Sequence, residues 1–377
     1  MQTGNAEGTE RKSKSPDGGG QPHQTQPVKI SRRDFLKFGG ICLSSLVFRP
    51  GFFHPPPPDE GLIYPIGIAR VTTNAIYRYQ EPEFQSKRLG MIRRDELVKI
   101  YQEINSPTGP SHNPIWYQLS DCYVHSGYLQ RVEAAYLNQS KPWYLPKGGR
   151  IGEITVPISL SYRWSRRDGW IPLYRLYYQS LHWVTGIEEG PDGHSWYQLT
   201  DDLLHIRYHI PTTHIQLLPL ADFRPISPDI PQEEKRIEVS INDQVLCAFE
   251  GDQEVFRSKV STGVHSTVPS PNGIPTDTPL GQFRVGSKMP CRHMGDGEIT
   301  SDIDAYELIG VPWVTYFHET GVAFHGTFWH NNFGRRMSHG CVNMETTAAK
   351  WIYRWTTPTA NARDWYRRGL GTLVIIS

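Results

Sequence analysis

The sequence predicts a mainly β protein, and three observations lead to that prediction. Glycine and proline are abundant, at 34 and 30 of 377 residues, and 12% of the chain is aromatic, a mixture that favours short strands and turns. Apolar and polar residues alternate in short segments separated by turn residues. One segment near the C-terminus has the spacing of an amphipathic helix. A chain of this length can hold two or three domains, each with its own core.

Residues 1–60 are predicted to contain a disordered N-terminus, an export signal and a spacer. The stretch up to Pro27 is polar and rich in Gly, Ser, Gln and Pro, so it cannot bury enough apolar surface to offset its ordering entropy. Ser31-Arg32-Arg33-Asp34-Phe35-Leu36-Lys37, followed by an apolar run from Phe38 to Phe48, matches a twin-arginine export signal. A basic patch beside a buried helix is the alternative.

The apolar run is shorter than the roughly 20 residues that cross a bilayer. No small-x-small cleavage site follows it, so an uncleaved anchor stays open. Pro55 to Pro58 form a stiff, extended spacer. We therefore expect export by the twin-arginine translocon, to the cell wall or to the extracytoplasmic face of the membrane.

A repeated tetrapeptide indicates a duplicated module. Trp116-Tyr117-Gln118-Leu119 recurs as Trp196-Tyr197-Gln198-Leu199. Short strands fit a small β-barrel over residues 61–135 and, less regularly, a second one over 145–220. The closing Gly127-Tyr128-Leu129 resembles bacterial SH3-like domains, which implies binding to the cell wall. In the second copy Arg207-Tyr208 replaces the expected Gly-Tyr pair, and strand Trp and Tyr residues that only pack a core are the equal alternative.

The last domain, over residues 236–377, is predicted to be β with one main helix. A linker rich in proline and acids, residues 221–235, precedes it. Ile237, Val239 and Ile241 alternate before the turn Asn242-Asp243, and Val245, Cys247 and Phe249 alternate after it, which indicates a hairpin. The helix is expected to have Asn343 as its cap, an apolar stripe of Ala348, Trp351, Ile352 and Trp355, and an end before Pro358. Residues 373–376 form a final strand.

Cys341 is the candidate nucleophile. It lies in Ser338-His339-Gly340-Cys341-Val342-Asn343, which follows the run His325-Gly326-Thr327-Phe328-Trp329. A thiol reacts as thiolate, so a nearby imidazole is expected to bring its pKa from about 8.5 toward neutrality, and His325 and His339 both qualify. Gly340 allows a sharp turn that leaves the amides of Gly340 and Cys341 free for an oxyanion. No histidine follows Cys341, which argues against papain-like peptidases.

This order of residues resembles the YkuD-type L,D-transpeptidases of bacterial cell walls. Two upstream segments extend the resemblance: Val260-Ser261-Thr262-Gly263 and Thr278-Pro279-Leu280-Gly281-Gln282-Phe283-Arg284-Val285. The resemblance implies a β-sandwich-like catalytic domain in which Cys341 forms a thioester with a peptidoglycan stem tetrapeptide, releasing D-alanine. It also implies that His325 is the acid/base partner, oriented by the carbonyl of Gly326, that an amine of a neighbouring stem resolves the thioester, and that carbapenems acylate Cys341.

Seven further residues are candidates for contact with the stem peptide. Arg335 and Arg336 offer guanidinium groups to a carboxylate of the diamino acid, with solvated charges as the alternative. Trp329 would form an aromatic wall or a core contact. Tyr306 and Trp313 fall in the segment that forms a lid in the family. Ser338 and Asn343 are motif positions expected mainly to hold the loop.

Other kinds of site and function are alternatives to this prediction. His325, His330, His339 and Cys341 supply metal ligands but lack the close pairs of usual zinc sites, so we expect no metal and no cofactor. A formal net charge of +1 gives no reason to expect nucleic acid. Cys122, Cys247 and Cys291 are predicted to be buried apolar residues, with a disulfide left open. An L,D-carboxypeptidase and a non-catalytic wall-binding protein stay as alternative functions.

Overall fold

The computed structural model describes residues 64–132, 137–139, 145–266, 276–300, 302 and 307–377. Strands dominate this part of the chain and its single α-helix is α1, Thr346–Trp355, so the mainly β prediction is confirmed. All described residues belong to one compact unit. None of the helices among them has the length and apolar character required to cross a bilayer. The predicted export signal, the proline spacer and Tyr306 lie outside the described residues.

Residues 67–132, here called the first module, pair their strands only with one another. They form a three-stranded sheet, β4-β1-β8, and a five-stranded sheet, β3-β2-β7-β6-β5. Both sheets enclose a small core that includes Val71, Ile100 and Leu129. The strands are β1 Gly67–Val71, β2 Ala75–Tyr79, β3 Arg88–Arg93, β4 Leu97–Ile100, β5 Gln102–Asn105, β6 Ile115–Gln118, β7 Tyr123–His125 and β8 Leu129–Val132.

Residues 150–217, the second module, form one seven-stranded sheet in the order β11-β10-β14-β13-β12-β9-β15. Tyr117 and Leu119 lie in the core of the first module, and Tyr197 and Leu199 lie in that of the second, so the repeated tetrapeptide packs two cores. An SH3-like assignment of either module remains a prediction. The strands are β9 Arg150–Ile154, β10 Ile158–Ser165, β11 Gly169–Tyr177, β12 Leu181–Glu189, β13 Ser195–Thr200, β14 Arg207–Pro211 and β15 Ile215–Leu217.

The C-terminal domain, residues 235–376, contains two five-stranded sheets. Their orders are β18-β17-β16-β25-β19 and β23-β22-β21-β20-β24. The strands are β16 Lys235–Ser240, β17 Val245–Glu250, β18 Gln253–Lys259, β19 Gly281–Arg284, β20 Ser287–Gly295, β21 Glu307–Tyr316, β22 Ala323–Gly326, β23 Val342–Met344, β24 Arg367–Arg368 and β25 Leu373–Ile376.

The predicted hairpin is confirmed as β16 and β17, but the buried face of β17 differs from the prediction. Leu246 and Ala248 are fully buried, whereas Val245, Cys247 and Phe249 are half-buried. The register explains this, because Val239 pairs with Leu246 and Ile237 pairs with Ala248. Residues directly opposite in an antiparallel pair share a face, so the buried residues of β16 bring Leu246 and Ala248 into the core.

The second module and the C-terminal domain share a core. Leu181 and Trp183 of β12 lie in the same buried cluster as Val239, Val342 and Ile352. Trp183 also stacks on Trp365 with ring centroids 4.2 Å apart. The predicted linker is packed as well, since Phe223 is buried and Lys235 Nζ donates to the carbonyl of Ser227 at 2.7 Å. The second module and the linker are therefore packed against the C-terminal domain.

Helix α1 ends before Pro358, as predicted, but it begins differently from the prediction. Asn343 lies in β23 and is not the N-cap; that position is Glu345, whose side chain makes no capping hydrogen bond. At the other end, the buried Lys288 Nζ donates to the carbonyls of Tyr353 and Thr356, the first at 2.8 Å. Two C-terminal carbonyls of the helix are thereby satisfied by the buried amine of Lys288.

A buried histidine links the second module to the C-terminal domain. His293 Nδ1 lies 2.8 Å from Asp201 Oδ2, and its Nε2 contacts Glu307 Oε2. Burial lowers the pKa of His293, but the hydrogen bonds to Asp201 and Glu307 outweigh it and leave the pKa above the ordinary value. The protonated ring is thus held between two carboxylates, one from each part of the chain.

The raised pKa makes this contact sensitive to alkaline pH. The contribution of His293 to the free energy of unfolding is complete below its unfolded pKa of about 6.5 and is lost as the pH rises through the higher folded value. We expect the unfolding midpoint of the wild type to fall more between about pH 6 and pH 9 than that of His293→Gln. His194→Gln, which changes an exposed histidine beside Asp192, is the control. Equal slopes for wild type and His293→Gln would contradict this role.

Candidate active site

Parallel pairing of β22 with β23 brings Cys341 next to His325. Phe324 pairs with Val342, and His325 with Asn343. In the same register, Cys341 lies opposite Ala323. His325 comes two residues after Ala323 on β22, so it lies on the same face of the sheet as Cys341. Strands about 4.8 Å apart that rise about 3.3 Å per residue place the Cα atoms of Cys341 and His325 roughly 8 Å apart. Two side chains can bridge that distance.

His325 is fixed in one orientation. It is 2% exposed, and its Nδ1 lies 3.0 Å from the carbonyl oxygen of Gly326. A carbonyl only accepts, so Nδ1 carries the proton and Nε2 presents a lone pair. Gly326 allows this packing, because a Cβ there would lie 2.7 Å from Pro312 Cγ. Burial lowers the pKa of His325 to about 4, so the ring is a neutral base at pH 7.

Cys341 is half-buried, with its Sγ 3.9 Å from the carbonyl oxygen of Gly321. It packs in an apolar cluster with Tyr316 and Trp329, and the Trp329 ring lies 5.7 Å from the His325 ring. Burial raises the pKa of Cys341 to about 11. The expected fall toward neutrality is therefore wrong, because apolar neighbours and a neutral imidazole provide no positive charge. The resting pair is a thiol and an imidazole.

This protonation state predicts how Cys341 reacts with an alkylating agent. The thiolate is the reactive form, so the rate of alkylation by iodoacetamide should keep rising to about pH 11, well past the ordinary cysteine value of about 8.5. Mass spectrometry of the peptide that contains Cys341 measures this rate, with the half-buried Cys247 as an internal comparison. A plateau below about pH 7 would instead indicate a preformed ion pair with His325.

The loop before Cys341 is held by its own hydrogen bonds. Gly340 has a φ of 114°, a conformation that favours glycine. Its amide donates to Ser338 Oγ at 3.2 Å, so the predicted freedom of this amide for an oxyanion is not found. Ser338 Oγ in turn donates to the carbonyl of Cys341. The short polar side chain of Ser338 therefore closes the turn and is buried within it.

The two upstream segments support this loop. Thr278 Oγ1 donates to the carbonyl of Gly340 at 2.7 Å and accepts from the amide of Gly263 at 2.8 Å. Ser261 and Asn343 exchange two backbone hydrogen bonds, both of 2.9 Å. Gly263 is required for this approach, because a Cβ there would lie 2.1 Å from the carbonyl oxygen of Thr276. Residues that are distant in sequence thus fix the position of Cys341.

The predicted substrate contacts divide into loop-holding, exposed and core residues. Arg336 Nη1 lies 3.1 Å from Asp277 Oδ1, so it ties the loop to the segment before Thr278. Asn343, in β23, is buried, and its Nδ2 lies 3.0 Å from His330 Nε2. Arg335 and His339 are exposed.

Trp313 is a core residue, so its prediction as part of a lid is wrong. It is 1% exposed, and its ring lies 5.3 Å from the rings of both Phe223 and Tyr353. The described part of the chain contains no group of three or more His, Cys, Asp or Glu side chains that could hold a metal ion.

Sequence reasoning missed the cavity that opens beside Cys341. Its volume is about 660 Å³. Arg284 could have been predicted as a site residue, since it lies in one of the two upstream motif segments. No sequence pattern connects it with the other residues that line the cavity. The lining includes Arg284, Met289, Arg292, Tyr316, Phe317, His318, Glu319, Gly321, Tyr366 and Arg368.

Residues 234–376 match the YkuD family model, the L,D-transpeptidase catalytic domain. No curated protein matches the chain. The chain is similar to an L,D-transpeptidase of Xylanimonas cellulosilytica, at 23% identity over 38% of this chain and 60% of that one, with a TM-score of 0.27.

Two mycobacterial structures are similar over a longer stretch. An L,D-transpeptidase of Mycobacterium smegmatis is 17% identical over 57% of this chain and 76% of that one, with a TM-score of 0.29. L,D-transpeptidase 3 of Mycobacterium tuberculosis, solved with a faropenem-derived adduct, is 16% identical over 66% of this chain and 90% of that one, with a TM-score of 0.28. The region that matches the YkuD model contains Cys341, His325 and the loop and upstream segments that hold Cys341 in place.

Proposed function

We propose that this protein is an exported L,D-transpeptidase that cross-links peptidoglycan stem peptides through a thioester on Cys341. The observation that carries the proposal is the neutral His325, held by Gly326 with Nε2 as its free lone pair, one strand away from a half-exposed thiol. The YkuD match over residues 234–376 supports the same reaction class.

The protonation states define the order of proton transfers. Nε2 of His325 takes the proton of the Cys341 thiol as the sulfur attacks the carbonyl of the third stem residue. The Cys341 amide is the candidate donor to the oxyanion, since the Gly340 amide is bonded to Ser338. Collapse of the tetrahedral intermediate breaks the amide bond, and the imidazolium returns its proton to the leaving amine of D-alanine. A thioester remains on Cys341.

The acceptor completes the reaction. An amine of a neighbouring stem attacks the thioester, passes a proton to His325 and leaves with the acyl group, while the sulfur takes the proton back. Water in place of that amine gives an L,D-carboxypeptidase.

The twin-arginine segment supports the proposal of export. The two modules are proposed to bind the cell wall.

Incubation with a synthetic stem tetrapeptide, with and without an acceptor stem, tests the function. Mass spectrometry should find a cross-linked dimer when the acceptor is present. Tripeptide alone would assign a carboxypeptidase, and the absence of turnover would favour a non-catalytic wall protein. A carbapenem should add its mass to Cys341 of the intact protein, and failure to form this adduct would count against the thioester site.

A further inference from the structure

The cavity of about 660 Å³ lies against the surroundings of the nucleophile. Gly321 lines it, and the carbonyl oxygen of this residue is 3.9 Å from Cys341 Sγ. Met289 and Tyr316 line it too, and both pack in the apolar cluster that includes Cys341. A group bound in this cavity would therefore lie next to the acyl group carried by the sulfur.

Arginine side chains give the cavity a positive charge. Arg292 is engaged by Asp202 at 2.7 Å. Arg284 Nη1 donates to the carbonyl of Gly371 at 3.1 Å, and the Arg368 guanidinium lies 5.8 Å from the centre of the Tyr366 ring. Among the described residues, neither Arg284 nor Arg368 forms an ion pair with a carboxylate. Glu319 is the single carboxylate among the lining residues, so two uncompensated guanidinium groups outweigh it.

We propose that Arg284 and Arg368 form a carboxylate-binding subsite for the stem peptide, an inference that rests on the proposed function. Guanidinium groups present paired N–H donors that match the two oxygens of a carboxylate. A stem tetrapeptide offers two kinds of carboxylate near the scissile bond: the terminal carboxylate of D-alanine in the donor and the carboxylate of the diamino acid in donor or acceptor. Amidation removes the charge of either one and leaves its size nearly unchanged.

Steady-state kinetics of the full chain with matched peptides test the subsite. The donor tetrapeptide is prepared with its terminal carboxylate or its diamino-acid carboxylate free or amidated, and the acceptor tripeptide with a free or an amidated diamino acid. The double variant Arg284→Gln/Arg368→Gln should raise KM for the recognised carboxylate peptide about 10-fold or more, with kcat changed less than about 2-fold. For the amidated form of that peptide, KM should be the same in wild type and variant.

Arg367→Gln is the matched control. Arg367 is the neighbour of Arg368 on the two-residue strand β24, is also exposed and does not line the cavity. It should leave both KM and kcat unchanged. Binding of the intact donor to the Cys341→Ala variant, with and without the two arginine substitutions, gives the same comparison without chemistry, and its Kd should rise by the same factor if the donor carboxylate is recognised.

Each outcome has a distinct meaning. Coupling of the arginines to the donor terminus or to the diamino acid supports the subsite and identifies its ligand. A wild type that turns over normally, with a double variant that affects carboxylate and amide peptides equally or not at all, overturns the subsite and leaves the proposed function intact. A wild type that fails to turn over any of these peptides overturns the proposed function, and the subsite with it.

Discussion

Replacement of Cys341 by alanine is expected to reduce turnover of the stem tetrapeptide by at least about 10³-fold, with or without an acceptor. In the proposed reaction the acyl group is carried by the sulfur, and no other cysteine of the described residues lies in the apolar cluster that contains Cys341. The substitution removes a single heavy atom from a half-exposed side chain, so the unfolding midpoint should stay close to that of the wild type. Release of D-alanine and formation of dimer measure the loss.

Cys247→Ala is the matched control for this experiment. Cys247 is also half-buried and lies on β17, in the other sheet of the C-terminal domain. Its replacement should leave turnover within about 2-fold of the wild type. Substantial turnover by Cys341→Ala would defeat the thioester mechanism, and an equal loss in both variants would point to general damage to the domain.

Replacement of Arg70 by methionine is expected to lower both stability and turnover, although Arg70 belongs to the first module. Arg70 is 2% exposed, and its guanidinium donates to the carbonyl of Phe328 at 3.0 Å, three residues after His325. It also pairs with Asp95 Oδ1 at 3.0 Å, bonds Gln130 Oε1 at 2.9 Å and lies 3.9 Å over the ring of Tyr177. One buried cation thus joins both modules to the loop that follows His325.

The expected magnitude follows from the charge left behind. Methionine fills the space of the Arg70 stem but leaves Asp95 without its buried partner, which costs about 3–5 kcal/mol in the free energy of unfolding. For a chain of this size the unfolding midpoint should fall on the order of 10 °C. Release of the Phe328 carbonyl lets the loop shift, and a displacement of about 1 Å at the site lowers kcat up to about 100-fold. Calorimetry and the tetrapeptide assay measure the two effects.

Arg175→Met provides the comparison, because Arg175 approaches the same carboxylate from the surface. Its Nη1 lies 3.5 Å from Asp95 Oδ2 and its side chain is 38% exposed, so the pair should contribute less than about 1 kcal/mol. Turnover should be unchanged in this variant. A similar small effect for Arg70→Met would mean that the first module does not position the loop after His325.

The fold class, the hairpin of β16 and β17 and the helix could be predicted from the sequence, because each depends on local patterns. Burial along a single element follows from its own residue pattern. Examples are the alternation of Ile237 with Val239 in β16 and the apolar stripe through Ile352 and Trp355 in α1. The linear motifs also placed Cys341 and His325 on neighbouring pieces of the domain that matches the YkuD model.

The neighbours of each residue depend on how the strands and the helix pack together, which local patterns do not specify. Asn343 pairs with Ser261 and His330 instead of capping the helix, and Trp313 enters the core because β21 packs against α1. The pKa of Cys341 rises because apolar residues from three strands surround a sulfur whose motif alone suggests activation. Burial, charge and cavity shape arise from contacts between residues far apart in sequence. Arg70 contacts Phe328, and Arg284 and Arg368 line one cavity. No local sequence pattern predicts these contacts.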